Sequence, residues 1–326
     1  MLQRNLSLDI LRILACLGVI AIHTSGSPIV HQMVDSGSVW YTECMVLNAL
    51  ARWAVPVFAM LTGFFMLDPQ KEIPVKKLFS RYLVRIVISL VFWSFFYAFS
   101  LHKPYYPLGS QEGHFWYLEM LIGLYLSMPI LRLVARNAVL LNYCCWVWIA
   151  FMCYVFLANF FVLPIKLGDI LFPRFAGYCL VAYWIKTRFA DKNVDKKTVA
   201  IIYSLGIVGL FITILAGCRL QNPETAFYSY DAPNVMVTAI ALFLFFVRHP
   251  LSQGCAGHGL IEECSKCTFG IYLMHLWVLI QIFFRMHRFI SSPIPLTIIC
   301  VGITFSVSFF ITWLIRKIPY LNRLIV

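Results

Sequence analysis

The stretch LDILRILACLGVIAIHTSG, residues 8–26, is mostly apolar yet carries Asp9, Arg12 and His23. Arg12 and His23 are eleven residues apart, about three helical turns plus roughly 20°, so both face one side about 16 Å apart along the axis. Asp9 shares that face and is placed to pair with Arg12. An imidazole can take a proton from an attacking hydroxyl, and a guanidinium near it can hold an anionic reactant. The alternative is a snorkelling Arg12 and a packing His23.

Other ionisable residues fall inside apolar segments, where they are energetically costly and therefore mark candidate sites. Glu119, in HFWYLEMLIGLYL, lies at a depth similar to that of His23, and a carboxylate beside an imidazole fixes its tautomer. We predict His23 and Glu119 as catalytic residues, with Arg12, Arg52 and Arg174 binding the donor or its developing charge. Further candidates are Asp9, His275 and Trp116, the last of which is also explained as an interfacial aromatic residue.

The elements that must position these residues are membrane helices. The chain has 326 residues, of which 61% are hydrophobic and 12% charged, and its mean hydropathy is +0.81. A soluble domain is about 25% charged. We predict an all-α, polytopic membrane protein with a single transmembrane domain over residues 1–326 and about ten spans. The first span reads as retained, because its apolar run is too long for a cleaved signal. The predicted spans are 7–26, 43–67, 82–101, 115–135, 143–163, 171–186, 199–217, 233–247, 267–284 and 294–315.

The basic residues predict the orientation of the chain. With the N-terminus inside, 18 of the 26 lysines and arginines fall on cytoplasmic segments, with Arg85 counted among them, and 5 fall on the opposite loops. This bias predicts that both termini are cytoplasmic. The same bias explains the net charge of +12, and we expect no nucleic-acid partner.

Residues 255–267, CAGHGLIEECSKC, have a spacing that could ligate zinc through Cys255, His258, Cys264 and Cys267. Coincidence in a cysteine-rich chain explains the pattern equally simply, and we predict no metal site.

Five motifs in register resemble the acyltransferase-3 family of bacterial membrane O-acyltransferases, which modify cell-surface glycans. They cover essentially the whole chain: the pair Arg12 and His23, RWAVPVFAMLTGFFML, HFWYLEMLIGLYL, FPRFAGYCLVAYWI, and SKCTFGIYLMH ending at His275. Thr62 stands where the family has serine, and Ile13 where it often has glycine. The length is most similar to the short branch that acetylates enterobacterial common antigen or similar polysaccharides.

The resemblance implies acetyl-CoA as a cytoplasmic co-substrate, no tightly bound cofactor, and a glycan hydroxyl on the outer side as acceptor. His23 would be the base or a transient acyl carrier, and Arg12 would hold the anionic part of the donor. Two other classes stay open: a membrane transporter or glycan exporter, and a structural subunit of a glycan-assembly complex. Membrane lipid surrounds the chain in each case, and the oligomeric state is open, a homo-oligomer included.

Overall fold

The computed structural model describes residues 5–106, 113–161, 174–190, 195–222, 225–251 and 257–324. Within them the chain is built of helices, and no strand occurs in the described ranges. The helices are α1 (Leu6–Val30), α2 (Val39–Ala51), α3 (Ala54–Met66), α4 (Val75–Lys77), α5 (Val84–Ser100), α6 (Trp116–Arg136), α7 (Ala138–Phe160), α8 (Arg174–Phe189), α9 (Lys196–Leu220), α10 (Pro233–Arg248), α11 (His258–Met286), α12 (Pro293–Lys317) and α13 (Leu321–Leu324). A π-helical turn, Leu78–Leu83, joins α4 to α5, and a 3₁₀ turn, Ala226–Tyr228, precedes α10.

The predicted fold class, an all-α polytopic membrane protein, is confirmed. Among the described residues, nine stretches are long and apolar enough to cross a bilayer. The predicted span at 171–186 corresponds to α8, which has 16 residues. That is fewer than the roughly 20 that a straight crossing needs, and residues 162–173 ahead of it are not described.

The predicted span at 43–67 is divided into two helices. The division falls at Arg52 and Trp53, and Pro56 is the third residue of the helix that follows. Proline has no N–H to donate to the carbonyl four residues earlier, which here belongs to Arg52, and its ring clashes with that carbonyl. The proline therefore interrupts the helix within the apolar run, and Arg52 lies at the break.

Helix α1 is central to the bundle and packs against α2, α3, α11 and α12. It is continuous from Leu6 to Val30, so Arg12 and His23 do lie on one helix as predicted. Near its beginning, Ser7 donates a hydrogen bond to the His249 carbonyl at 2.8 Å. Burial of α1 among these helices and α10 gives its polar side chains protein neighbours in place of lipid.

Helices α3 and α8 approach each other backbone to backbone. A Cβ at Gly63 would lie 2.3 Å from both Cα and the carbonyl oxygen of Cys179. The Cys179 thiol also donates to the Ala59 carbonyl at 3.1 Å. Only a residue without a side chain permits this crossing, which fixes the position of α3.

Candidate functional site

Arg12 is held by a network that joins α1 to α11. Its Nη1 donates to Asp9 Oδ1 at 3.2 Å and to Ser265 Oγ at 2.9 Å. Ser265 in turn donates to the same Asp9 oxygen at 2.6 Å. The guanidinium lies over the Phe65 ring, 5.3 Å from its centre. The pairing with Asp9 is the one that the spacing predicted, and it fixes the guanidinium inside the bundle.

Arg12 borders a cavity of about 300 Å³, here called the Arg12 cavity. A second guanidinium, that of Arg85, also borders it and lies over the Phe269 ring at 5.3 Å. Arg85 follows the π-helical turn, a feature that is frequent at functional sites. The count of basic residues treats Arg85 as a cytoplasmic charge, and the structure shows that it lies at the beginning of α5 and borders this cavity. The full lining is Arg12, Phe58, Leu61, Thr62, Phe65, Met66, Tyr82, Arg85, Ile86, Tyr117, Leu121, Tyr125, Thr268, Phe269 and Tyr272.

His23 borders a second, smaller cavity of about 40 Å³, here called the His23 cavity. Its lining is Val19, Ile22, His23, Val55, Phe58, His114, Trp116, Tyr117, Tyr230 and Tyr272. Three aromatic residues, Phe58, Tyr117 and Tyr272, border both cavities. They form a shared wall between a space lined by two arginines and a space lined by two histidines.

Three imidazoles cluster at this second cavity. The ring of His23 lies 5.2 Å from that of His275 and 6.2 Å from that of His114, and the latter two are 5.1 Å apart. His114 and His275 are buried, with 1% and 0% exposure. His114 immediately precedes α6, and the Tyr272 hydroxyl donates to its carbonyl. His114 is not among the candidates predicted from the sequence, although it is the first residue of the motif HFWYLEMLIGLYL that contains Trp116.

Glu119 does not line the His23 cavity. It lies in the first turn of α6 and is half-buried, and it lines neither the Arg12 cavity nor the His23 cavity. The groups that lie beside His23 are the imidazoles of His114 and His275. A catalytic role for Glu119 stays a prediction that rests on sequence alone.

The three predicted donor-binding arginines do not converge. Arg52 donates to the Tyr230 hydroxyl at 3.3 Å and lies over the Tyr228 and Tyr230 rings at 5.1 and 5.3 Å. Arg174 forms an ion pair with Asp231 at 2.6 Å. Because Tyr230 borders the His23 cavity, both arginines belong to that end of the site, away from Arg12.

Trp116 is part of an aromatic platform at the same end. Its indole stacks on Tyr230 with ring centres 5.8 Å apart and an interplanar angle of 22°, and Phe175 packs beside it at 5.6 Å. Both stacked rings border the His23 cavity. The platform offers a flat apolar surface next to His23.

Hydrogen bonds and an ion pair hold the chain at the end of α3, where Met66 borders the Arg12 cavity. Arg132 donates to the carbonyls of Met66 and Lys71, the second at 2.6 Å, which satisfies the end of that helix. Lys186 pairs with Asp68 at 2.7 Å. Burial opposes the ionisation of Asp68, but hydrogen bonds from Lys186 and from the Gln70 N–H outweigh it and lower the pKa of the carboxyl group.

The predicted cysteine–histidine cluster is only partly covered, since Cys255 lies outside the described residues. Cys267 Sγ accepts a hydrogen bond from Arg316 at 3.3 Å. No group of three or more histidine, cysteine, aspartate or glutamate side chains in the described part of the chain is arranged to hold a metal ion.

A helical bundle that crosses the membrane repeatedly, with arginines in one buried cavity and histidines in the next, defines a multi-pass membrane protein with an internal polar site. A model of the acyltransferase-3 family, described as an acyltransferase domain, matches residues 5–313. The chain therefore belongs to the acyltransferase-3 family and is a membrane acyltransferase. No curated protein and no solved structure matches the chain.

Proposed function

We propose that the chain is an O-acetyltransferase of the bacterial inner membrane. It takes an acetyl group from cytoplasmic acetyl-CoA and transfers it to a hydroxyl of a cell-surface polysaccharide or its lipid-linked precursor. The observation that carries the proposal is the pair of cavities, one lined by Arg12 and Arg85 and the other by His23, on either side of one aromatic wall.

The Arg12 cavity suits the donor. It contains two guanidiniums, which bind phosphate oxygens with paired hydrogen bonds. It lies toward the beginning of α1, the end that the basic residues predict to face the cytoplasm. Its volume of about 300 Å³ is at the lower limit of ligand pockets. We therefore expect it to hold the thioester arm, with the nucleotide at the cytoplasmic mouth.

The His23 cavity, with a volume of about 40 Å³, suits the reacting hydroxyl group of the acceptor. Trp116 and Tyr230 line it with aromatic rings, and Arg52 and the tyrosine hydroxyls supply polar contacts. A sugar has apolar C–H faces and polar edges, which match such a lining. The acceptor oxygen and the thioester carbonyl carbon would meet at the wall of Phe58, Tyr117 and Tyr272, while the rest of the donor and the rest of the acceptor remain on opposite sides of it.

The reaction needs no metal, because a thioester is already an activated acyl group. His23 takes the proton of the acceptor hydroxyl as its oxygen bonds to the thioester carbonyl carbon. The carbon–sulfur bond then breaks, and the thiolate leaves with the proton that His23 returns. The alternative route transfers the acetyl group first to His23 and then to the sugar.

The test is NMR of surface polysaccharide from cells that carry the full chain or a variant. We expect His23→Ala to remove O-acetyl signals, because loss of a general base lowers a rate by about 10²- to 10⁴-fold, while polysaccharide amount and length stay unchanged. His31→Ala is the matched control: His31 is exposed at the end of α1, beside Phe284 and outside both cavities. Loss of the polysaccharide itself in His23→Ala would favour an exporter, and unchanged O-acetylation would contradict the enzyme.

A further inference from the structure

The proton position on His275 follows from its contacts. Its Nδ1 lies 2.6 Å from the Tyr272 carbonyl oxygen. A carbonyl oxygen only accepts hydrogen bonds, so in the neutral ring Nδ1 carries the hydrogen and Nε2 carries the lone pair. Nε2 is buried and has no hydrogen-bond partner. A buried acceptor without a donor is unfavourable by about 1–3 kcal/mol, so the atom is expected to have a function.

His23 is the neighbour that can supply the missing donor, because the N–H of His114, although its ring is 5.1 Å from His275, is directed at the Leu273 carbonyl. A ring nitrogen lies about 1.1 Å from the ring centre, so at the centroid separation of 5.2 Å two nitrogens turned toward each other would lie about 3 Å apart, the length of a hydrogen bond. The rings are tilted by 46°, and rotation of His23 about its Cβ–Cγ bond would align them. Catalytic hydrogen bonds are often poorly aligned before substrate binds.

His114 is less well placed to act directly on His23. Its Nε2 lies 3.5 Å from the Leu273 carbonyl oxygen, so its Nδ1 carries the lone pair and is also buried without a partner. Its ring centre is 6.2 Å from that of His23, which leaves about 4 Å between facing nitrogens, too long for a hydrogen bond. The geometry selects His275 as the direct neighbour.

We propose that His275 is the positioning residue for His23, an inference that rests on the proposed acetyl transfer. Its Nε2 accepts the N–H of one His23 nitrogen, which leaves the lone pair of the other nitrogen facing the acceptor hydroxyl. In the transition state the lone pair of His275 Nε2 stabilises the His23 imidazolium as the hydroxyl proton arrives. A neutral imidazole thus performs the task that the sequence analysis assigned to the carboxylate of Glu119.

Two substitutions separate this role from a purely structural one. His275→Asn places an amide near the Nδ1 position, so it can keep the hydrogen bond to the Tyr272 carbonyl but removes the acceptor at Nε2. His275→Gln places an amide oxygen near the Nε2 position and gives up the bond to Tyr272. A positioning role requires the second variant to be the more active, whereas a structural role requires the first.

The experiment measures acetyl-CoA-dependent acetylation of polysaccharide in membranes that contain the full-length chain. We expect His275→Asn to lower kcat about 10²- to 10³-fold, with the KM for acetyl-CoA changed less than about threefold, because an orienting group acts on the transition state. His275→Gln is expected to remain within about tenfold of the wild type. Both variants should elute as single species and unfold at temperatures close to the wild type.

Equal losses in the two folded variants, or a larger loss in His275→Gln, overturn the positioning role. If His275→Asn does not fold, a folded His275→Gln with under 1% of wild-type kcat also overturns it. Absence of acetyl transfer by the wild type would instead refute the proposed function, so the two failures are distinguishable.

Discussion

Gly63→Ala tests how far catalysis depends on the contact between α3 and α8. The new Cβ would lie 2.3 Å from two main-chain atoms of Cys179, and ordinary contacts begin at 3.4 Å. The two helices must therefore separate by about 1 Å. Because the obstructing atoms belong to the backbone, no smaller residue at position 179 can relieve the clash.

This separation is expected to affect both stability and rate. Overpacking of this kind lowers the free energy of unfolding by about 1–3 kcal/mol. Helix α3 also carries Phe58 and Thr62, which line the cavities, and a displacement of about 1 Å at reacting groups lowers a rate by about 10²-fold. We expect Gly63→Ala to have a lower apparent melting temperature in detergent and about 1% of the wild-type acetylation rate.

Gly123→Ala is the matched control. Gly123 lies in α6 and is exposed, and a Cβ there would meet no atom within 4 Å. Replacement of a helical glycine by alanine at such a position stabilises by roughly 0.5–1 kcal/mol. Gly123→Ala should therefore keep full activity and melt at the same or a higher temperature. A Gly63→Ala protein that matched this control in both measurements would refute the close crossing of α3 and α8.

Two further predictions concern charged groups. Arg12→Gln should raise the KM for acetyl-CoA at least about tenfold in steady-state kinetics, because a hydrogen bond to a charged group contributes about 1.5–3 kcal/mol. The control is Arg136→Gln, since Arg136 is exposed and lies outside the Arg12 cavity. An unchanged KM in Arg12→Gln would contradict the donor site. Asp68→Asn should lower the free energy of unfolding by about 1–3 kcal/mol at neutral pH, since a partly buried ion pair is broken. Because the folded-state pKa of Asp68 is lowered, its contribution is present above the unfolded pKa and is lost as pH falls through the folded one. Melting curves from neutral pH down to about pH 3 should thus converge for wild type and variant, and a constant difference would contradict the assignment.

Sequence periodicity predicted the helices well, because a residue that faces lipid or a packed core must be apolar along the whole span. It placed Arg12 and His23 on one continuous helix, and α1 has that form. It did not predict the break at Arg52, because periodicity reports where apolar residues fall and not whether a proline removes a backbone hydrogen bond. The count of basic residues recorded Arg85 as a cytoplasmic charge but did not predict that it borders a cavity, because the sequence does not show whether a positive charge near a predicted boundary faces water or a cavity.

The neighbours of His23 could not be predicted from spacing. His114 and His275 reach it from distant parts of the chain, and which helices touch is decided by small contacts such as that of Gly63 with Cys179. Glu119 was predicted from its depth in the membrane, but depth does not determine which side of the helix a side chain faces. The motif ending at His275 did mark a residue of the cluster, but the tautomer of its ring depends on one carbonyl contact.

The shared wall of Phe58, Tyr117 and Tyr272 has a consequence for how the membrane stays sealed. Each ring borders both cavities, so these three side chains lie between them. Side-chain rotations are much faster than helix movements, and a barrier of rings can open for one small group and close again without any rocking of the bundle. We expect a barrier of so few side chains to require bulky residues at these three positions. A smaller residue would leave an opening through which water and protons could pass between turnovers.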